Sequence, residues 1–246
     1  MTNIALIGYG SMGRELERLA PSRHLSFKKI ISSDANRDGR GISAESLKGV
    51  DVCIEFTHPA VVMTNIKAII AQKKNLVVGT TGWYDRFSEV RTMVEQSKIG
   101  MVYASNFSIG MNLFYKIVGE ASRLIDAFDE YDVAISETHH RAKADSPSGT
   151  ALTLAQIVVR NIKRKKEIEH EAMHGSIRPD QIHVTSTRIG TVAGRHQVLF
   201  DADADSIELI HTAKNRSGFA LGALIAAEWI KGKRGLYAMS DVIESI

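Results

Sequence analysis

Among 246 residues the chain has one cysteine, Cys53. An internal disulfide and a four-cysteine zinc site are therefore excluded. No apolar run approaches the roughly 18 residues that a membrane-spanning helix needs, so no membrane partner is expected. Strong charge of either sign is also missing. Lys and Arg number 31 and Asp and Glu 28, a net charge of +3. With a pI near 8.9, that balance suits a small anionic ligand and falls short of a nucleic-acid binder. There is no internal repeat and no low-complexity stretch. The opening residues MTNIALIGYG carry no basic segment and no small-residue cleavage site, so no signal peptide is expected and the location expected is cytoplasmic. What is present is a chain 44% apolar, long enough for one large or two small domains with an unstapled core.

The first half alternates strand and helix patterns. Ile4–Ile7 is a short apolar run ending at Gly8. Met12, Leu16 and Leu19 recur at helical spacing until Pro21. Strands are expected at 25–32, 50–56, 76–78 and 101–104, with helices marked by Val62, Ile66, Ile69 and Ile70 and by Phe87, Val90, Met93 and Val94. This rhythm predicts a parallel sheet covered on both faces. After about Asn106 it changes. A long helix (Phe114 to Ile125), a strand (131–136), a polar loop and a helix from Thr150 to about Ile162 precede three β-like stretches at 182–189, 192–201 and 206–213. The expected fold class is α/β: a Rossmann-like parallel sheet domain plus an α+β domain with a mixed sheet. The tail returns to helix at Ala220 to Trp229. The boundaries expected are 1–106 with 218–246 for a dinucleotide-binding domain, and 107–217 for a substrate-binding and oligomerisation domain, the active site lying in a cleft. The run Lys163-Arg164-Lys165-Lys166 reads as a solvated helix end, where cations suit the dipole.

Gly8-Tyr9-Gly10-Ser11-Met12-Gly13 fits G-x-G-x-x-G between a predicted strand and a predicted helix. The first glycine allows the tight turn, the second lets backbone approach a pyrophosphate, and the third lets helix and strand pack closely. The helix N-terminus then faces the anion. Asp34, 21 residues after Gly13, is the candidate for the adenosine ribose; Arg37 and Arg40 are near enough in sequence for a 2′-phosphate. The choice between NADH and NADPH stays open. Gly79-Thr80-Thr81-Gly82, just after a strand, is a candidate for the nicotinamide half, and Ser105-Asn106-Phe107 receives the same argument more weakly.

The segment Glu137-Thr138-His139-His140-Arg141-Ala142-Lys143-Ala144-Asp145-Ser146-Pro147-Ser148-Gly149-Thr150 combines groups that exchange protons near neutral pH with a helix start that suits a carboxylate. A solvated loop with an N-cap serine is the competing reading, and chemistry alone does not decide. His170-Glu171-Ala172-Met173-His174 matches the zinc-hydrolase pattern H-E-x-x-H, but Gly175 and Pro179 follow at once and no third ligand stands in a familiar place. No metal is expected. Cys53, inside the apolar stretch VDVCIEF, reads as a buried inert thiol, and Trp83 and Trp229 as packing residues.

The stretch from Glu137 to Ala151 resembles the E-x-H-H-x-x-K-x-D-A-P-S-G-T-A motif of the dihydrodipicolinate reductase family, with Ser146 in place of alanine. Phe56-Thr57-His58-Pro59, Gly79-Thr80-Thr81-Gly82, Ser105-Asn106-Phe107-Ser108-x-Gly110-x-Asn112, Gly194-Arg195-His196 and Gly235-Leu236-Tyr237-x-Met239 resemble it in the same order. The glycine loop is shorter than in many relatives. The resemblance implies an NAD(P)H-dependent reduction of 4-hydroxy-tetrahydrodipicolinate, with loss of water, on the route to diaminopimelate and lysine. It implies His139 as acid/base residue, Lys143 as proton donor, and His140, Ser148, Gly149 and Thr150 at a small dicarboxylate. It also implies a homotetramer built through the sheet of the second domain. Arg216 is a weaker anion-binding candidate. Two rivals remain: another two-domain NAD(P)-dependent oxidoreductase of amino or keto acids, and a dinucleotide-sensing protein with no catalytic role.

Overall fold

A computed structural model describes residues 2–246, and all their side chains except that of Asp38. It divides into two compact units, Met1–Asn112 with Arg216–Ile246, and Leu113–Asn215.

The first unit holds β1 (Thr2–Ile7), α1 (Ser11–Leu19), β2 (Leu25–Ile31), β3 (Val52–Glu55), α2 (Pro59–Ala71), β4 (Asn75–Val78), α3 (Phe87–Ser97) and β5 (Gly100–Tyr103). Strand β1 illustrates why the sheet is covered twice. Ile4 and Leu6 join a buried cluster with Leu16, Ala223 and Leu224. Ala5 and Ile7, pointing the other way, join a second cluster with Val62, Ile66, Ile69 and Val90. Period-2 alternation with apolar residues on both faces is what a fully buried parallel strand requires. Helix α2 starts with Pro59 in its first turn, while the His58 ring accepts the Ala60 N–H at 3.3 Å; a proline there loses no intrahelical bond.

The second unit holds most of α4 (Ile109–Ile125), then β6 (Asp132–His139), α5 (Gly149–Asn161), β7 (Glu167–Glu169), β8 (Gln181–Arg188), β9 (Arg195–Asp201) and β10 (Ser206–Thr212). The chain then re-enters the first unit with α6 (Ser217–Ile230), β11 (Gly235–Ala238) and α7 (Met239–Glu244). The first sheet has the order β11-β5-β4-β3-β1-β2, every neighbouring pair parallel. The strand order reverses between β1 and β3, the switch point beside which doubly wound sheets bind ligands. The second sheet, β10-β9-β6-β8-β7, is mixed: β6 runs parallel to β8 and antiparallel to β9.

Three local readings change. Strands β7 and β11, of three and four residues, were not expected; each is too short to show a period. Residues 170–174 form no helix, so His170 and His174 do not share a helix face. The basic run is not uniformly solvated. Lys165 is only 2% exposed. Its ammonium pairs with Asp132 at 2.5 Å and donates to the carbonyls of Pro179 and Gln181, each at 2.8 Å. A buried lysine needs such partners, because an unpaired charge away from water costs several kcal/mol.

Candidate active site

Two cavities lie at the carboxyl ends of β1, β3 and β4. One of about 470 Å³ is lined by Gly8, Tyr9, Gly10, Ser32, Ser33 and Asn36, with Phe56 and Thr57. The other, of about 410 Å³, is lined by Gly10, Ser11, Met12, Thr57, Gly79, Thr80, Thr81 and Arg216. They share Gly10, Phe56 and Thr57, and lie at the switch point beside which doubly wound sheets bind ligands.

Gly8 has φ +95°, and a Cβ there would stand 2.1 Å from the Phe56 carbonyl oxygen. A side chain is thus excluded by conformation and by space. A Cβ on Gly13 would meet the Gly8 carbonyl oxygen at 2.6 Å, which is the close helix–strand packing expected of the third glycine. Helix α1 has no side-chain cap and no acidic residue in its first turn. Its leading N–H groups therefore suit an anion, and these residues fit a dinucleotide.

Asp34 does not line either cavity; Ser32, Ser33 and Asn36 do. Ser105 is exposed, and Asn106 turns its side-chain oxygen to the Ser108 N–H at 2.9 Å. Phe107 is buried in the core. None of these three lines either of the two cavities. Beneath the loops lies Glu55, fully buried. It accepts from the Thr57 hydroxyl and from the Asn65 amide at 3.1 Å, and burial pushes its carboxyl up. Asn65 in turn accepts from Asn36 at 2.8 Å, and the Thr57 N–H donates to Thr80 at 2.7 Å. This polar thread joins residues of both cavities. Sequence reading passed over Glu55 because it stands in a strand that otherwise reads as apolar.

In the second unit, Val133, Ile135, Glu137 and His139 of β6 all face inward. Register sets Glu137 beside Ser186 of β8 and His196 of β9, and His139 beside Arg188. The Glu137 side chain is inaccessible to solvent. Its Oε1 accepts from the Ser148 N–H, the Ser186 hydroxyl and the Arg188 guanidinium, each at 2.9 Å, and its Oε2 accepts from the Ser148 hydroxyl. Burial opposes the charge, yet bonds from His196, Ser148 and Arg188 hold this carboxyl well below the usual range.

The His139 side chain is 10% exposed, with Nδ1 3.3 Å from Glu137 Oε2. The ring meets that of His196 edge-on at 5.1 Å. Burial lowers the His139 pKa to about 4, against the opposing pull of Glu137 and with the help of His196, Lys143 and Arg188. Lys143 pairs with Asp145 at 2.6 Å. His140, half-buried, follows β6 directly, and its carbonyl accepts the Lys143 N–H at 3.1 Å. Gly149 is exposed at the first turn of α5 and Thr150 follows it. Ser148, only 2% exposed, is turned inward to Glu137.

Donor atoms of Glu137, His139 and His196 lie within 4.8 Å of one another, close enough to hold a metal ion. Both carboxylate oxygens already take hydrogen bonds, however, and Arg188 supplies the neutralising charge. The set reads as a hydrogen-bonded hub. Ser186, Arg188 and His196 join it through sheet register, which motif reading does not reveal.

The chain matches sequence models of the family in two consecutive parts, Dihydrodipicolinate reductase N-terminus over residues 2–107 and C-terminus over residues 110–243. It is 38% identical over 246 residues to the 4-hydroxy-tetrahydrodipicolinate reductase of Christiangramia forsetii, covering 99% of this chain and 98% of that protein. The enzyme of the same name from Chromobacterium violaceum is also 38% identical, over 98% of both chains. Among solved structures, a dipicolinate-bound dihydrodipicolinate reductase from Paenisporosarcina sp. TG-14 shares the fold. It has a TM-score of 0.77, 24% identity and 97% coverage of each chain. A parallel-sheet unit with a glycine loop at its switch point, a mixed-sheet unit carrying the histidine–lysine loop, and two full-length relatives agree: the chain belongs to the dihydrodipicolinate reductase family.

Proposed function

We propose that this chain reduces 4-hydroxy-tetrahydrodipicolinate to tetrahydrodipicolinate, with loss of water, in diaminopimelate and lysine biosynthesis. The observation that carries the reading is that His139 and the start of α5 meet at one buried carboxylate, Glu137, with the Lys143 charge close enough to act on His139. When bound, NADH or NADPH supplies the hydride, which forms the new C–H bond at C4 of the ring. Gly8 to Gly13, Gly79, Thr80 and Thr81 would hold the dinucleotide, with Arg216 facing its anionic part.

The rest is work for the protein's own groups. Negative charge develops towards the ring nitrogen and the carbon between C4 and the imine. A fixed ammonium at Lys143 stabilises that charge and can deliver a proton. The first N–H groups of α5, at Gly149 and Thr150, suit a substrate carboxylate, and His140 is a further contact for the substrate. The absence of a carboxylate from the described lining of the adenosine-side cavity leaves both cofactors acceptable there. No helix among the described residues is long and apolar enough to cross a membrane, in keeping with a cytoplasmic enzyme. Exposed Ile207 and Ile210 on the edge strand β10 favour a homotetramer joined through this sheet.

The test follows the near-ultraviolet absorbance of NADH or NADPH as the protein meets the fresh condensation product of pyruvate and aspartate semialdehyde. Oxidation of either cofactor is expected. No oxidation with both would overturn the assignment.

A further inference from the structure

We propose that Glu137 is a positioning residue that fixes the His139 proton on Nδ1 and so leaves Nε2 as a proton acceptor. This rests on the reading of His139 as the acid/base residue.

The argument starts from the hub. Four donor groups on one strand and a helix cap converge on the Glu137 carboxylate, and that many donors keep it an anion. His139 Nδ1 is buried and has no aligned hydrogen-bond partner, yet Glu137 Oε2 is 3.3 Å away. If Nδ1 carried a lone pair, two acceptors would face each other in a dry site. A proton on Nδ1 turns that repulsion into attraction and needs only a small ring rotation to become a hydrogen bond. Such bonds commonly tighten when substrate binds.

The other charged and titratable groups agree. Arg188 of β8 and Lys143 of the loop are cations, the latter paired with Asp145. His196 of β9 turns Nε2 to the same carboxylate oxygen at 3.5 Å. They disfavour a further positive charge on His139, so the neutral ring is the resting state and its tautomer matters. On the far side of the ring, a Cβ at residue 194 would lie 3.0 Å from Nε2. Gly194 leaves that nitrogen uncovered.

A chemical division of labour follows. The proton on the carbon between C4 and the imine passes to Nε2, while the C4 hydroxyl leaves as water with the Lys143 proton. After hydride has formed the C4–H bond, the proton on Nε2 returns to the same carbon. Nδ1 keeps its own proton, and Glu137 stabilises the transient imidazolium. Lys143 regains a proton from solvent before the hydride arrives, so it is again an ammonium when charge develops on the ring.

The experiment measures the His139 tautomer at neutral pH by long-range proton–nitrogen correlation on protein with labelled histidine, assigned with His139→Gln. The wild-type ring should carry its proton on Nδ1. In Glu137→Gln the amide oxygen can keep the bonds to Ser148 N–H, Ser186 and Arg188. The NH2 then faces Nδ1 and should drive the proton to Nε2. Turnover should fall about 10- to 100-fold, with dinucleotide affinity unchanged, and Glu137→Asp should recover part of it. An Nε2-protonated wild type overturns the proposal. So does a Glu137→Gln protein that loses turnover with its tautomer unchanged, since that marks a purely structural role. If Glu137→Gln does not fold, the wild-type spectrum decides. A wild type without reductase activity defeats the functional reading, which is distinct from a wrong tautomer in an active enzyme.

Discussion

Ser148 donates both its backbone N–H, at 2.9 Å, and its hydroxyl to the carboxylate of Glu137. The same hydroxyl accepts the Ala151 N–H at 3.1 Å and so caps α5. One serine thus ties the start of a helix to the floor of the candidate active site. Ser148→Ala should remove the cap and leave one oxygen of a buried anion short of a donor. The expected cost is about 2 kcal/mol, or a melting temperature lower by roughly 4–8 °C for a chain of this size. Calorimetry checks it, and an unchanged melting temperature would contradict the hub.

Lys143 and His139 are assigned different protons, so their loss should look different from a loss of binding. Lys143→Ala and His139→Ala should each lower kcat by about 100-fold or more. The dinucleotide affinity, read from quenching of protein fluorescence, should stay within about twofold, because Gly8 to Gly13 lie in the other unit. Full turnover in both variants would defeat the roles given to them.

Gly194 matters for the space it leaves. Gly194→Ala puts a methyl group about 3.0 Å from His139 Nε2, tighter than ordinary contact. Turnover should fall about tenfold or more. Because Gly194 has φ +156°, a conformation that strains any side chain, the melting temperature should fall as well. Steady-state rates taken well below that temperature separate the two effects.

Acid should destabilise the fold from a higher pH than carboxylates alone would give. His139 has its pKa lowered from 6.5 to about 4 by burial, and His211 is lowered by burial as well. Above pH 6.5 both are neutral whether folded or unfolded, and nothing is lost. As pH falls from 6.5 towards 4, the unfolded chain takes up protons that the folded chain refuses. Stability therefore drops, by up to about 1.4 kcal/mol per pH unit for His139, and His211 adds a loss of the same sign. Glu137, held low in the fold, adds a loss of the same sign below about 4.5. Urea midpoints between pH 7.5 and pH 4.5 test this; His139→Asn should flatten part of the slope.

Cys53 is buried in β3 and its thiol is pushed up to about 12 by burial. The native protein should resist an aromatic disulfide reagent at pH 8 over the time in which the urea-unfolded chain reacts fully. Rapid reaction of the native chain would show that the strand opens.

Some of this protein could be read from residue order alone. The glycine loop needs a strand before it and a helix after it, and both show in the apolar spacing of Ile4 to Leu19. The histidine–lysine loop is local too: His139, Lys143 and Gly149 lie within eleven residues, so proximity in sequence delivers proximity in space. Cys53 was legible as a buried thiol because its neighbours are apolar.

The rest depended on partners far away in the chain. Register alone puts Ser186, Arg188 and His196 around Glu137, and a one-residue slip of either strand would turn them to the opposite face. Ser148, whose hydroxyl could equally have faced a ligand, is turned inward because a buried carboxylate needs donors more than a solvent-facing cap does. Asp34 shows the same limit. Counting residues placed an acid near the ribose, but a short 3-10 turn at 34–39 leaves Ser32, Ser33 and Asn36 lining the cavity. The sequence determined which chemical groups this protein owns and which local elements carry them. Only the tertiary structure decided which of those groups share a dry space, and there burial and hydrogen bonding set their charges.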